Sequence, residues 1–201
     1  MIEIPSGLHK DVVSLAFLLG TWEGAGVYAA LPGQEGGPGS EKCNFGQEVV
    51  FRHDGRAFLE FRSRSWVLDA EGEKTRPLES ESAFWRVTGN PHGNTGAREI
   101  EVSSVRDDGT VEIWYGELAD GKPQIELVTD AVARIEGAAP YSGGKRLYGL
   151  VGGELMWVGE KSAPDAPLRP YMSGQLKKVL SPAQLVKDIN DLPDDGIAFF
   201  R

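Results

Sequence analysis

Few side chains in this chain have the types that do chemistry. It carries three histidines and one cysteine, the residues that most often ligate zinc or haem iron or act as nucleophiles. His9 falls near an N-terminal helical stretch, His53 beside the turn dipeptide Asp54-Gly55, and His92 in the loop Asn90-Pro91-His92-Gly93. None sits in a strand-like run. No pair of His or Cys has zinc-site spacing, so all three histidines read as solvated. Cys43, next to Lys42, is a candidate reactive thiol. No general base lies near it in the sequence, and an idle cysteine is the simpler reading. No G-x-S-x-G elbow, phosphate loop or dinucleotide fingerprint occurs. The glycine-rich stretch 33–39 lacks the following lysine and helix of a phosphate site and reads as a loop.

Whatever chemistry remains must be positioned by strands. Four turn dipeptides separate strand-like runs: Asp54-Gly55, Asp108-Gly109, Asp120-Gly121 and Gly152-Gly153. Such pairs supply the positive φ angles of two-residue hairpins. Between them the chain alternates. Val111, Ile113 and Tyr115 point one way, and Thr110, Glu112 and Trp114 the other. Ile100, Val102 and Ser104 oppose Glu99, Glu101 and Ser103, and Leu59 and Phe61 share a face with Ser63 and Ser65. No strand–helix alternation appears, which argues against a parallel sheet. About ten hairpin-linked strands should close on themselves and so remove their edges. The expected fold is all-β, an antiparallel up-and-down β-barrel of the lipocalin or fatty-acid-binding-protein kind.

Three segments depart from strands. Pro5 to Gly20 reads as a short helix stopped by glycine. Residues 29–40 and 90–96 are rich in Gly, Pro or Asn and read as loops. Ser181-Pro182 opens a C-terminal helix with an apolar stripe of Leu185, Val186 and Ile189, so the domain division is 1–180 for the barrel and 181–201 for the tail. Phe199 and Phe200 near the end suggest docking on the barrel or on a second subunit, hence a homodimer.

Bulk properties exclude some partners. A net charge of −9 argues against nucleic acid. The apolar run Val12–Leu19 is far shorter than the ~20 residues that cross a bilayer. The N-terminus lacks the basic start and long apolar stretch of a signal peptide. One cysteine permits no intramolecular disulfide, and the expected location is the cytoplasm.

Four stretches carry a resemblance. The first, Phe17 to Gly26, contains Gly20-x-Trp22-x-Gly24-x-Gly26. The others are Arg56–Trp66, Gly109–Gly116 and Arg146–Trp157 running on to Leu176. In order and spacing they resemble the nitrobindin family over roughly Leu8 to Val179. That resemblance implies a small β-barrel holding ferric haem b, binding nitric oxide and isomerising peroxynitrite to nitrate. On the first glycine strand, Trp22, Gly24 and Gly26 share a face. Glycines there leave room for something flat, or let another backbone come close.

Three positions depart from what the resemblance implies. The family's iron-ligating histidine falls on Tyr171, in Pro170-Tyr171-Met172-Ser173. A haem-contacting threonine falls on Ala30, and a lysine suited to a haem carboxylate falls on Ala139. A phenol ionises near pH ~10 and ligates iron only after losing its proton. Arg169, two residues away on an expected shared face, and Lys161, in the adjoining strand, are the candidate cations to lower it.

Three readings follow. In the first, the protein takes no cofactor, is not an enzyme, and binds a small apolar ligand inside the barrel, with Tyr171 packed and hydrogen-bonded. In the second, it is a ferric haem protein ligated by Tyr171 and acting on nitric oxide or peroxynitrite. In the third, the barrel is filled by side chains and the role is structural or one of interaction.

Overall fold

A computed structural model describes residues 4–29, 42–88 and 98–181. The expected stretches 30–40 and 90–96, Ala30, His92 and the C-terminal helix after Ser181 lie outside the described residues. Ten strands follow one short helix: β1 (Gly20–Tyr28), β2 (Cys43–Arg52), β3 (Leu59–Leu68), β4 (Lys74–Thr88), β5 (Arg98–Arg106), β6 (Thr110–Leu118), β7 (Gln124–Arg134), β8 (Gly143–Val151), β9 (Glu154–Ala163) and β10 (Ala166–Leu180). Each pairs antiparallel with its sequence neighbour, and β1 pairs with β10, so the sheet closes into a barrel. The all-β barrel read from the hairpin pattern is the fold observed.

The turn dipeptides stand where expected, with Gly55, Gly109, Gly121, Gly152 and Gly153 all at positive φ. Only Gly152-Gly153 is a two-residue turn. The others sit in longer connections, such as residues 53–58 between β2 and β3. Positive φ locates a turn without fixing its length.

The helix is a 3₁₀ helix over Lys10–Leu18, starting later than Pro5. His9 caps it, Nδ1 accepting from the Asp11 amide at 3.3 Å, so this histidine has a structural role rather than a purely solvated one. Val12, Leu15, Ala16, Phe17 and Leu18 are buried against the barrel. The Trp22 indole donates to the Leu18 carbonyl at 2.7 Å and ties the helix end to β1.

Much of the barrel interior is apolar and aromatic. Phe51, Phe61, Trp85, Tyr148 and Trp157 form a chain of ring contacts with centroids 5.0–6.1 Å apart. Such spacing lies in the favourable range for aromatic pairs. The helix, Trp22, Leu59, Ile100 and Ile125 complete this core.

The two readings of the first-strand glycines are separated by distance. A Cβ on Gly24 would lie 2.1 Å from the Gln175 carbonyl oxygen, and one on Gly26 would lie 1.9 Å from that of Ser173. These glycines let β10 come close; they do not frame a slot.

Candidate functional site

Tyr171 lies in β10 where the strand is irregular. Pro170 faces Glu160 and Met172 faces Gly159, leaving Tyr171 as the extra residue of a β-bulge. Tyr171 and Met172 are therefore both buried, and Arg169 is exposed. The expected shared face of Arg169 and Tyr171 is not found, because the bulge breaks the two-residue period. Gly159 makes room for the phenol: a Cβ there would meet Tyr171 Cε1 at 2.8 Å. Tyr28 packs on the ring edge-on, with centroids 6.3 Å apart.

Lys161 is the cation that reaches Tyr171. Its Nζ lies 3.9 Å from the centre of the Tyr171 ring and 3.5 Å from Glu79 Oε2. The Tyr171 hydroxyl donates to Glu79 Oε1 at 3.5 Å, a long bond. Lys161 and Glu79 keep 17% and 21% of their side-chain surface exposed, so this pair is the outermost part of the site.

Deeper in, charge continues. β8 supplies Arg146 and β4 supplies Glu81. The guanidinium NH1 and NH2 donate to the two Glu81 oxygens at 2.9 and 2.8 Å, both side chains being buried. This two-pronged geometry is the strongest form of the pair. Arg146 also lies over the Trp114 ring at 4.5 Å. β5 supplies Arg106 and β6 supplies Glu112, with Nε and Oε2 3.6 Å apart. Tyr141, in the connection before β8, donates to Glu112 Oε1 and lies under the Arg106 guanidinium at 4.8 Å. Arg106 Nε and NH1 and Glu112 Oε2 are buried without a hydrogen-bond partner. Three cations and three carboxylates thus share one end of the barrel.

The protonation states follow from burial and charge. Burial, then Glu79, hold the Tyr171 phenol well above its usual value, against the opposite pull of Arg146 and Arg106. Burial raises the Tyr148 phenol to about 12. Burial pushes Lys161 down, aided by Arg106 and Arg146 and opposed by Glu79. Burial alone would raise Glu79, but Lys161, Arg106 and Arg146 outweigh it and hold the carboxyl below its usual range.

Little space is left among these groups. A cavity of about 20 Å³ lies between Gln47, Ser63, Glu79, Glu81, Arg146 and Tyr171. That is room for about one water, whose share of liquid volume is ~30 Å³. The apolar interior pocket expected from the barrel fold is not found at this end among the described residues.

The other named positions fall away from this cluster. Trp22, Gly20, Gly24 and Gly26 run along β1, where Gly20 takes φ +124° and Trp22 packs in the helix-side core. Ala139 is exposed in the connection between β7 and β8, where its carbonyl accepts from Arg134. Cys43 opens β2 opposite Tyr28 and is half-buried. His53 lies in the β2–β3 connection. Among the described residues no group of three or more His, Cys, Asp or Glu could hold a metal ion.

Six functional candidates were missed by sequence reasoning: Glu79, Glu81, Arg106, Glu112, Tyr141 and Arg146. The only signal for Glu112 was its place on the face with Thr110 and Trp114. Nothing in the sequence marked that face as the inner one.

A family model described as a THAP4-like, heme-binding β-barrel domain matches residues 11–178. A protein of Streptomyces avermitilis named ferric nitrobindin-like protein is 62% identical over the full length of both chains. A protein of Nocardioides sp. named peroxynitrite isomerase is 42% identical, covering 87% of this chain and 96% of its own. The crystal structure of Rv2717c from M. tuberculosis superposes with a TM-score of 0.69 at 25% identity, over 85% of this chain and 98% of that one.

Proposed function

The chain belongs to the THAP4-like, heme-binding β-barrel family, and we propose that within it this chain works without haem, as a binding protein for a small polar molecule at the Tyr171 end of the barrel. The observation that carries the reading is the set of ion pairs beside Tyr171. A barrel end can be filled with apolar side chains, as the helix-side core is here. Replacing a buried ion pair by such residues is often neutral or stabilising. Charge kept in the interior, with Arg106 nitrogens lacking a hydrogen-bond partner, therefore points to recognition rather than to folding.

The residues at that end do not fit an iron porphyrin. A phenol held well above its usual pKa and directed at a carboxylate is a poor iron donor. Pockets for drug-sized ligands run to ~300–1,000 Å³, against about 20 Å³ here. The charged lining moves the proposed ligand from small and apolar to small and polar.

Hemin titration followed in the Soret region tests the reading. The expected result is no saturable band with wild-type protein. A tight ferric spectrum that Tyr171→Phe abolishes would overturn it in favour of phenolate-ligated haem.

A homodimer remains part of the proposal. Its support is an apolar outer groove where Val27 and Met156 are exposed, beside Leu147 and Val158. Sedimentation at micromolar concentration checks it, and a monomer there refutes it. We also place the protein in the cytoplasm; among the described residues no helix is long and apolar enough to cross a membrane.

A further inference from the structure

We propose that Lys161 captures a small aldehyde as a Schiff base at the Tyr171 end of the barrel, with Glu79 moving the proton. This rests on the haem-free reading above and names the class of molecule that the same site takes.

The geometry is that of a lysine made ready for addition. Lys161 Nζ lies 3.5 Å from Glu79 Oε2 and 3.9 Å from the Tyr171 ring centre, with the Tyr141 ring centre 5.9 Å away. An aromatic and mostly buried setting disfavours the ammonium form, as it does in Schiff-base lysines generally. Glu79 faces it from β4, Arg106 from β5, Glu112 from β6, Tyr141 from the β7–β8 connection, Arg146 from β8 and Tyr171 from β10. Burial and the two arginines lower the lysine, and the two carboxylates raise it. With 17% of its side chain exposed, Lys161 is reachable from solvent, while deeper Arg146 is not. The cavity of about 20 Å³ below it admits no bulky group, so the carbonyl arrives from the open side and must be unhindered.

The step balances without a further reagent. Glu79 takes a proton from the Lys161 ammonium. The freed nitrogen lone pair forms a C–N bond to the carbonyl carbon, and the C=O π pair moves to oxygen. That oxygen is protonated, the nitrogen loses its second proton, and a carbinolamine results. Protonation of its hydroxyl then expels one water as the nitrogen lone pair forms C=N. The Tyr171 hydroxyl, 3.5 Å from Glu79 Oε1, orients the carboxylate and is protonated throughout at neutral pH.

The test uses the full-length protein, acetaldehyde as probe, and cyanoborohydride to reduce any imine, with modified lysines mapped by peptide mass spectrometry at pH 7. Accessibility alone favours Lys10 and Lys177, whose side chains are 88% and 78% exposed. The expected result is modification of Lys161 at least ~10-fold faster than of either, as a nucleophile freed of its proton requires. Glu79→Gln slows it and shifts its pH profile, without altering labelling at Lys10. Modification of Lys10 and Lys177 first, with Lys161 spared, overturns the proposal. So does an unchanged pH profile in Glu79→Gln. The parallel hemin titration keeps the two ideas apart. No Lys161 preference and no Soret band defeats only the aldehyde site, whereas a Soret band defeats the haem-free reading beneath it.

Discussion

Removing the Arg146 guanidinium should unlock more stability than any exposed charge in the protein. Arg146 and Glu81 retain only 5% and 6% of their side-chain surface. They exchange two charge-assisted hydrogen bonds at 2.9 and 2.8 Å. Hydrogen bonds to charged groups contribute ~1.5–3 kcal/mol each, and stripping one partner from a buried pair costs about 3–5 kcal/mol. Arg146→Met leaves Glu81 buried without its partner, so the expected loss is roughly 3–5 kcal/mol. At ~2–4 °C per kcal/mol for a chain of this size, the melting temperature should fall by roughly 6–20 °C. The double variant Glu81→Leu/Arg146→Met removes both charges and should recover to within ~1 kcal/mol of wild type, or exceed it. Guanidinium denaturation of the wild type, both single variants and the double variant gives the cycle. A double variant as unstable as Arg146→Met would show that the pair is needed for folding, and the inference from buried charge to recognition would fail.

Other outcomes follow from the same geometry. Gly26→Ala places a Cβ 1.9 Å from the Ser173 carbonyl oxygen and 2.6 Å from Phe45 Cζ; overpacking of this kind costs ~1–3 kcal/mol or more, and a melt unchanged from wild type would refute the close-approach reading. Trp22→Phe leaves the Leu18 carbonyl without its 2.7 Å donor, for a loss of about 1–3 kcal/mol; hydrogen exchange should quicken in the helix before the strands, and uniform protection would count against it. For pH, Tyr171 and Tyr148 have folded values above the ordinary 10.0, so their contribution is complete below pH 10.0 and is lost as pH rises through the folded values, about 12 for Tyr148. Glu79 has a folded value below the ordinary 4.5, so its contribution is complete above pH 4.5 and is lost as pH falls through the depressed value. Denaturation midpoints should therefore form a plateau between these limits, and a midpoint that climbs above pH 10.0 would contradict the tyrosine assignment.

Much of this protein was legible in the residues themselves. Glycines at Gly55, Gly109, Gly121, Gly152 and Gly153 mark turns because positive φ is costly for other residues. Alternation between them is strand, and hairpins in series close into a barrel. The G-x-W-x-G-x-G strand and the tyrosine at 171 pointed to the family, and the family match bears out that resemblance.

The faces and the site were decided only in three dimensions. Strand β6 offers Val111, Ile113 and Tyr115 on one side and Thr110, Glu112 and Trp114 on the other. Period alone favours the more apolar side for the core, yet Glu112 is fully buried and Tyr115 is 47% exposed. A carboxylate can turn inward only where cations and donors await it. Its hydroxyl donor Tyr141 is 29 residues away in the chain, the Arg146 that holds Glu81 is 65 away, and the Tyr171 that meets Glu79 is 92 away. The bulge that sends Tyr171 inward and Arg169 outward likewise depends on β9 alongside. Local pattern fixes which residues alternate. Which of them face inward is set by partners that barrel closure alone brings within reach.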